Sequence, residues 1–355
     1  MARTLSMAAI TGTLALTAPL MAQHGRDTVL TDLGTLGGST SRAFAINDSG
    51  YVTGGADLED GVWHTFASCG CQMLDLGSLD GYRYSFGNDI NNKGQIVGQS
   101  YYLYDGEATV WSFCHIESLG LYGNNPRSEA RAINNDGNIV GYAWDDREYA
   151  FATPLLWAGG QAVDLGTLDE HTGGRAQDIN NKGTIIGVCW DESQTVTTAW
   201  IKTRDGLMTA LRGLGGSEAA ADAINDRGDV VGSVHDAQQV EYPVLWHNGV
   251  LVLLETIEGR DARATGINNN EMIVGYVLAE DGFHSSAALW RFGSLSILNE
   301  MLPPDLRDEW DLVSAYDINI HGEIVGVGYH NGELHAYVLD VNQLNSQTKR
   351  ITTSN

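Results

Sequence analysis

Basic residues are scarce in this chain: 20 Lys and Arg stand against 45 Asp and Glu, a formal net charge of −25. That balance repels nucleic acid and anionic membrane surfaces, so neither is an expected partner. Cysteine is equally sparse. The four, Cys69, Cys71, Cys114 and Cys189, match no zinc-binding spacing. Past the first 22 residues no apolar run is long enough to cross a bilayer, which leaves no transmembrane segment in the mature chain. The short catalytic signatures are missing as well. There is no His-Glu-x-x-His, no Gly-x-Ser-x-Gly, no Walker loop and no dinucleotide fingerprint. No cofactor is expected. Acids that meet only in space leave no spacing signature, so a carbohydrate-active hydrolase or lyase stays open as an alternative.

What is present begins with a leader. Residues 1–22 have Arg3 as a positive start, an apolar stretch from Met7 and the small-residue end Leu20-Met21-Ala22, the pattern of a signal peptide. Secretion to an extracellular or periplasmic space is therefore expected. Export permits a disulfide, and Cys69 and Cys71, on either side of Gly70, are the candidate pair.

Seven times the chain repeats Ile-Asn-x-x-Gly-x-(Ile/Val)-x-Gly, with the sixth copy carrying Glu271 in place of the first Gly. The copies start at Ile46, Ile90, Ile133, Ile179, Ile224, Ile267 and Ile318. A period in the middle forties means one supersecondary unit copied around a ring or along a stack. The second copy reads as a short strand Tyr84 to Ile90, a turn, a returning strand Gln95 to Gln99, and a third strand through Ala108-Thr109-Val110-Trp111. In the turn, Asn bonds backbone two residues on, and Gly supplies the positive φ. With Glu271 in the glycine place, Asn270 is expected to take the left-handed conformation of the sixth turn.

The residue three before each Ile is small: Ala43, Gly87, Ala130, Ala176, Ala221, Ala264 and Ala315. Such crowding marks the innermost strand of a radial arrangement. Trp111, Trp157, Trp246 and Trp290, with Phe66, Trp200 and Tyr337 nearby, read as residues that pack one sheet on the next. The run Val29 to Leu36 is a fourth strand with nothing before it, and the last unit ends at His335-Ala336-Tyr337-Val338-Leu339 with no fourth strand after it. The two ends complete one sheet only if they pair, and such closure removes aggregation-prone edges. The expectation is an all-β, seven-bladed β-propeller with the N-terminal strand closing the last blade. It occupies residues 23–341 as one domain, followed by a polar tail at 342–355.

Asp32-Leu33-Gly34-Thr35-Leu36-Gly37-Gly38 and Ile224-Asn225-Asp226-Arg227-Gly228-Asp229-Val230-Val231-Gly232 resemble the HAF-repeat family of bacterial extracellular proteins. The His-Ala-Phe triplet that names the family has its nearest copies in His335-Ala336-Tyr337 and His64-Thr65-Phe66. The resemblance covers nearly the whole mature chain. It implies export, and no catalytic residue is carried over from it.

Loops joining second to third strands share a face with the loops joining blade to blade, and propellers bind on such faces. Trp144-Asp145 and Trp190-Asp191 occupy matching places in adjacent repeats, two aromatics each beside an acid. Trp310 and Arg307 lie in the one long connection, 20 residues from Leu298 to Ile318, where Pro303-Pro304 predicts a short helix. These six residues are the candidate ligand-binding set. Asp89, Asp178 and Asp317 precede the Ile in three repeats; they either converge on a cation near the axis or bond backbone near their own turns, and the second reading is preferred, so no metal is expected. The function expected is non-catalytic binding of a ligand or partner, with a glycan or a cell-surface protein as the classes in view. A structural surface protein is the remaining alternative.

Overall fold

The chain is described from a computed structural model at residues 28–69, 72–112, 115–145 and 149–344. The leader, Cys71, Cys114 and the tail beyond 344 lie outside these residues, so the Cys69–Cys71 pairing is not addressed by the structure. Leu344 is buried against the last sheet, which carries the packed domain slightly past the expected boundary at 341.

Each repeat folds as a four-stranded antiparallel meander. Five sheets have four strands and one has eight. The eight-stranded sheet is the second and third units, joined at a single parallel bridge between Gly106 and Arg127. In the first unit the order is Gly37–Ile46, Val52–Leu58, Trp63–Ser68 and Met73–Gly77. In the last, Trp310–Ile318, Glu323–His330 and Glu333–Asp340 are joined by Leu30–Asp32. Leu30 pairs with Leu339 and Asp32 with Tyr337, so the N-terminal strand does complete the last sheet.

The core lies between the sheets. Val97 and Ala108 of the second unit pack with Ile133, Ile139, Leu155 and Trp157 of the third. Val325 and Val338 of the last unit pack in the same way with Ala43, Ile46 and Phe66 of the first. The Trp, Phe and Tyr residues read as packing groups are buried throughout. Burial of each such ring contributes on the order of 2–3 kcal/mol.

The repeat motif has a steric cause. In every unit the small residue of the inner strand pairs with the last Gly of the motif, as Gly87 does with Gly98, and a bulge follows at once. The bulge turns the Phe86 carbonyl toward Gly98, where an added Cβ would stand 2.0 Å from that oxygen. The corresponding distance is 1.9–2.1 Å in all seven copies. No side chain fits there, and crowding on the inner strand follows from the same geometry.

The sixth turn departs from expectation. Glu271 itself takes φ +60°, and Asn270 does not. The Glu271 carboxylate accepts a hydrogen bond from Arg227 of the preceding unit, an ion pair that accompanies the strained backbone. The long connection forms two short helices, α1 (Leu298–Met301) and α2 (Pro304–Glu309), with Pro304 in the first turn as the sequence suggested.

Candidate functional site

The inner strands surround an axial channel whose two ends differ. At one end lie the Ile-Asn turns. Each Asn Oδ1 accepts the backbone N–H groups two and four residues on, as Asn134 does from Asp136 and Asn138 at 3.1 and 3.0 Å. Each Asn Nδ2 also donates to the backbone carbonyl of the Asn in the next unit. Asn47 reaches Asn91 at 3.0 Å, and the series runs on unit by unit until Asn319 returns to Asn47 at 3.2 Å. Asp could form the turn but lacks this donor, which accounts for Asn in all seven copies. The residue after each Asn makes a second, outer series, Asp48 N to Asn92 Oδ1 at 2.9 Å and so on. It is interrupted at Ile320, which offers no side-chain oxygen.

Next along the axis come Asp89, Asp178 and Asp317. Each carboxylate accepts the N–H of its own Ile and that of the Ile in the next unit. Asp89 holds Ile90 and Ile133, both at 2.7 Å. Asp178 holds Ile179 at 2.6 Å and Ile224 at 2.8 Å. Asp317 holds Ile318 at 2.7 Å and Ile46 at 2.9 Å. The preferred reading, backbone bonding, thus holds in a wider form: each Asp fastens two units. Three carboxylates serve six of the seven repeat Ile amides, and among the described residues no carboxylate bonds the seventh, that of Ile267. Burial, with the charges of Asp178 and Asp317, pushes Asp89 up to about 7. Burial raises Asp178 and Asp317 to about 6.

The far end opens into a cavity of about 730 Å³. Its wall is the residue two before each Ile: Phe44, Asn88, Arg131, Gln177, Asp222, Thr265 and Tyr316. One side is aromatic. Phe44 and Tyr316 meet edge to face at 5.5 Å across the first and last units, and Trp63 and Phe86 extend this side. The opposite side is polar. Arg131 donates to Glu129 at 2.9 Å, and Asn88 donates to the same carboxylate oxygen. Arg263 makes a fork of two 2.8 Å bonds to Asp222, and that carboxylate holds the guanidinium pKa well above its ordinary value. Gln177 Oε1 and Arg131 Nε are buried there without a protein hydrogen-bond partner. A bound polar group would satisfy both.

The six candidate ligand-binding residues lie elsewhere, whereas Asp89, Asp178 and Asp317 line the cavity. Trp144 and Trp190 share one buried cluster with Tyr142 and Val188, at 6% and 4% exposure. Trp144 stacks on Tyr142 with ring centres 4.6 Å apart. They fill the space between adjacent units and present no open ring face, so the expected pair of aromatic platforms gives way to packing. Asp191 closes its own loop, accepting from Thr195 N, Val196 N and Ser193 Oγ. Asp145 follows the strand Ile139–Trp144 at the loop end and does not line the cavity. Trp310 is buried and stacks on His330 at 4.5 Å. Arg307 donates to the carbonyls of Glu300 and Leu302, tying α2 to α1. Neither helix lines the cavity; they cover an edge of the last core cluster instead.

No family model matches the chain, and no curated protein matches it. Solved structures do. YCF48 from Cyanidioschyzon merolae superposes with a TM-score of 0.55 at 8% identity, over 89% of this chain and 100% of that one. The fold is a β-propeller. TolB from Acinetobacter baumannii gives 0.47 at 10% identity, over 82% of this propeller and 64% of that chain, so this propeller spans under two thirds of its length. AofleA from Arthrobotrys oligospora gives 0.43 at 10% identity, over 75% and 87%. Identities this low speak to fold alone. No helix among the described residues is long and apolar enough to cross a membrane.

Proposed function

We propose that this chain is an exported, seven-bladed propeller of the HAF-repeat type that binds a polar, ring-bearing ligand in its axial cavity without transforming it. A glycan is the ligand class. One observation carries the reading: a single cavity sets an aromatic side, Phe44, Trp63, Phe86 and Tyr316, against an amide and ion-paired side, Arg131, Gln177 and Asp222. Sugars are recognised by that combination, apolar faces on rings and hydroxyls on charged or amide groups. The blade count rests on treating the eight-stranded sheet as two blades. Export rests on residues 1–22. The family assignment gains support from the repeat's own residues, since His64 bonds Asp75 at 2.9 Å and His335 bonds Asp32 at 2.9 Å. Those bonds give the triplet's His and the Asp of Asp-Leu-Gly one shared task, clipping third strand to fourth.

The test is a glycan panel titrated against the full chain and against Trp63→Ala and Arg131→Met. Binding that weakens at least tenfold in both variants, with melting unchanged, supports the cavity. Binding that both variants retain removes it. The raised pKa of Asp89, Asp178 and Asp317 favours a second reading, a hydrolase or lyase with one of them as proton donor. The same panel read for cleavage decides between them.

A further inference from the structure

Away from the axis, three side chains from three strands meet where the chain closes on itself. Asp32 lies in the N-terminal strand, His330 ends the strand Glu323–His330 and His335 lies in Glu333–Asp340. Asp32 Oδ2 is 2.7 Å from His330 Nδ1 and 2.9 Å from His335 Nδ1. We propose that Asp32, His330 and His335 form a binding site for a first-row divalent metal ion, zinc by the chemistry of its donors, that clasps the two ends of the chain.

The donor atoms lie within 4.8 Å of one another. Tetrahedral zinc with bonds of about 2.0–2.1 Å places its ligands about 3.3 Å apart, so small side-chain rotations open the present contacts to that spacing. Two imidazole nitrogens and one carboxylate leave a fourth position for water. The surroundings are those of a metal site. A metal on Nδ1 requires the proton on Nε2, and a group to receive it. His335 Nε2 is buried with no hydrogen-bond partner and has the Glu333 carboxylate 3.6 Å away. His330 Nε2 faces the Asn331 amide at 3.1 Å, which by turning presents its oxygen. Gly34 N donates to Asp32 Oδ1 at 2.7 Å and fixes that carboxylate, while Trp310 lies flat against the His330 ring.

The molecule supplies its own control. His64 and Asp75 form the same His–Asp contact in the first unit. Register places Ala56 opposite His64 and Gly328 opposite His335. The position corresponding to His330 is therefore Leu58, and no third donor exists there. A pair serves the repeat as a clip; among the described residues the triad occurs at the closure alone.

The experiment is calorimetric titration of the full chain with zinc, beside melting with and without zinc, for the native sequence, His330→Ala and His64→Ala. The expected result is one ion per chain and a higher Tm with zinc, both lost in His330→Ala with at least a tenfold fall in affinity, and both kept in His64→Ala. His330 is the last residue of its strand and its side chain is part-exposed, so the His330→Ala chain is expected to fold, and melting without zinc verifies this. No zinc bound by the native chain, undiminished binding in His330→Ala, or equal loss in His64→Ala each overturns the site.

Discussion

The two ends of the channel were built from the same repeat and have opposite character. At the turn end every unit presents the same Asn, and every Asn makes the same bond to its neighbour. At the cavity end the residue two before each Ile is different in all seven units. Uniformity is what a ring of interchangeable parts needs to hold together. Diversity is not needed for that, and each of those side chains borders the cavity, even where, like Asn88 and Thr265, it also bonds the next unit. The difference separates residues kept for assembly from residues free to suit a ligand, within one strand and only a few residues apart.

Substitution at the uniform end should therefore cost stability and leave binding chemistry alone, and the reverse should hold at the other end. Gly98→Ala is expected to cost about 3 kcal/mol or more, since its Cβ meets backbone that cannot yield. Urea unfolding measures it, and a loss below about 1 kcal/mol would show that the bulge relaxes. Asn134→Asp keeps the turn but removes the donor to the Asn180 carbonyl. A loss of about 2 kcal/mol is expected, because the carbonyl keeps only its turn bond from Gly183 N and is left facing a carboxylate oxygen, with thermal melting as the readout.

Between the two ends, Asp89 sits at a folded pKa of about 7, above the value of about 3.9 in an unfolded chain. The folded state then binds the proton more tightly. Its contribution is full below the unfolded value and is lost as pH rises toward 7. Relative to Asp89→Asn, the native chain should lose about 3 kcal/mol between pH 4.5 and 7.5. Parallel stability curves for the two proteins would show that Asp89 stays ionised throughout. At the cavity, Gln177→Leu should move stability by no more than about 0.5 kcal/mol while weakening ligand at least tenfold; a drop in Tm without a change in binding would erase the contrast between the ends. Smallest of all, Ile320→Asn should add a few tenths of a kcal/mol by continuing the outer series at its gap, visible as a slight rise in urea midpoint.

Much of the architecture was legible because it is periodic. The inner strand, the turns, the packing aromatics and the pairing of an N-terminal strand with the last one all follow from residues recurring in register, although only Leu30–Asp32 of the expected Val29–Leu36 pairs there and Leu36 bridges Leu58 of the first unit. The Asn series was not. An Asn that bonds its own turn and an Asn that also bonds the next unit leave one and the same sequence signal. Trp144 and Trp190 misled for a similar reason, since a ring after the second strand reads alike whether it folds inward or faces solvent. Glu271 shows a tertiary ion pair accompanying a conformation that propensity assigned to Asn270. The cavity wall did leave a trace. Phe44, Asn88, Arg131, Gln177, Asp222, Thr265 and Tyr316 stand at one repeat position amid neighbours that barely vary. Variation at a fixed place within one chain is the mark that would have found them. Asp32 and His330 are far apart in sequence, and only closure brings them together.

That closure also sets a schedule. Strand Leu30–Asp32 leaves the ribosome roughly 300 residues ahead of its partner Glu333–Asp340. At about 5–20 residues per second, the early strand waits roughly 15–60 s for its place to exist. Until then no partial chain, however long, can form the finished object.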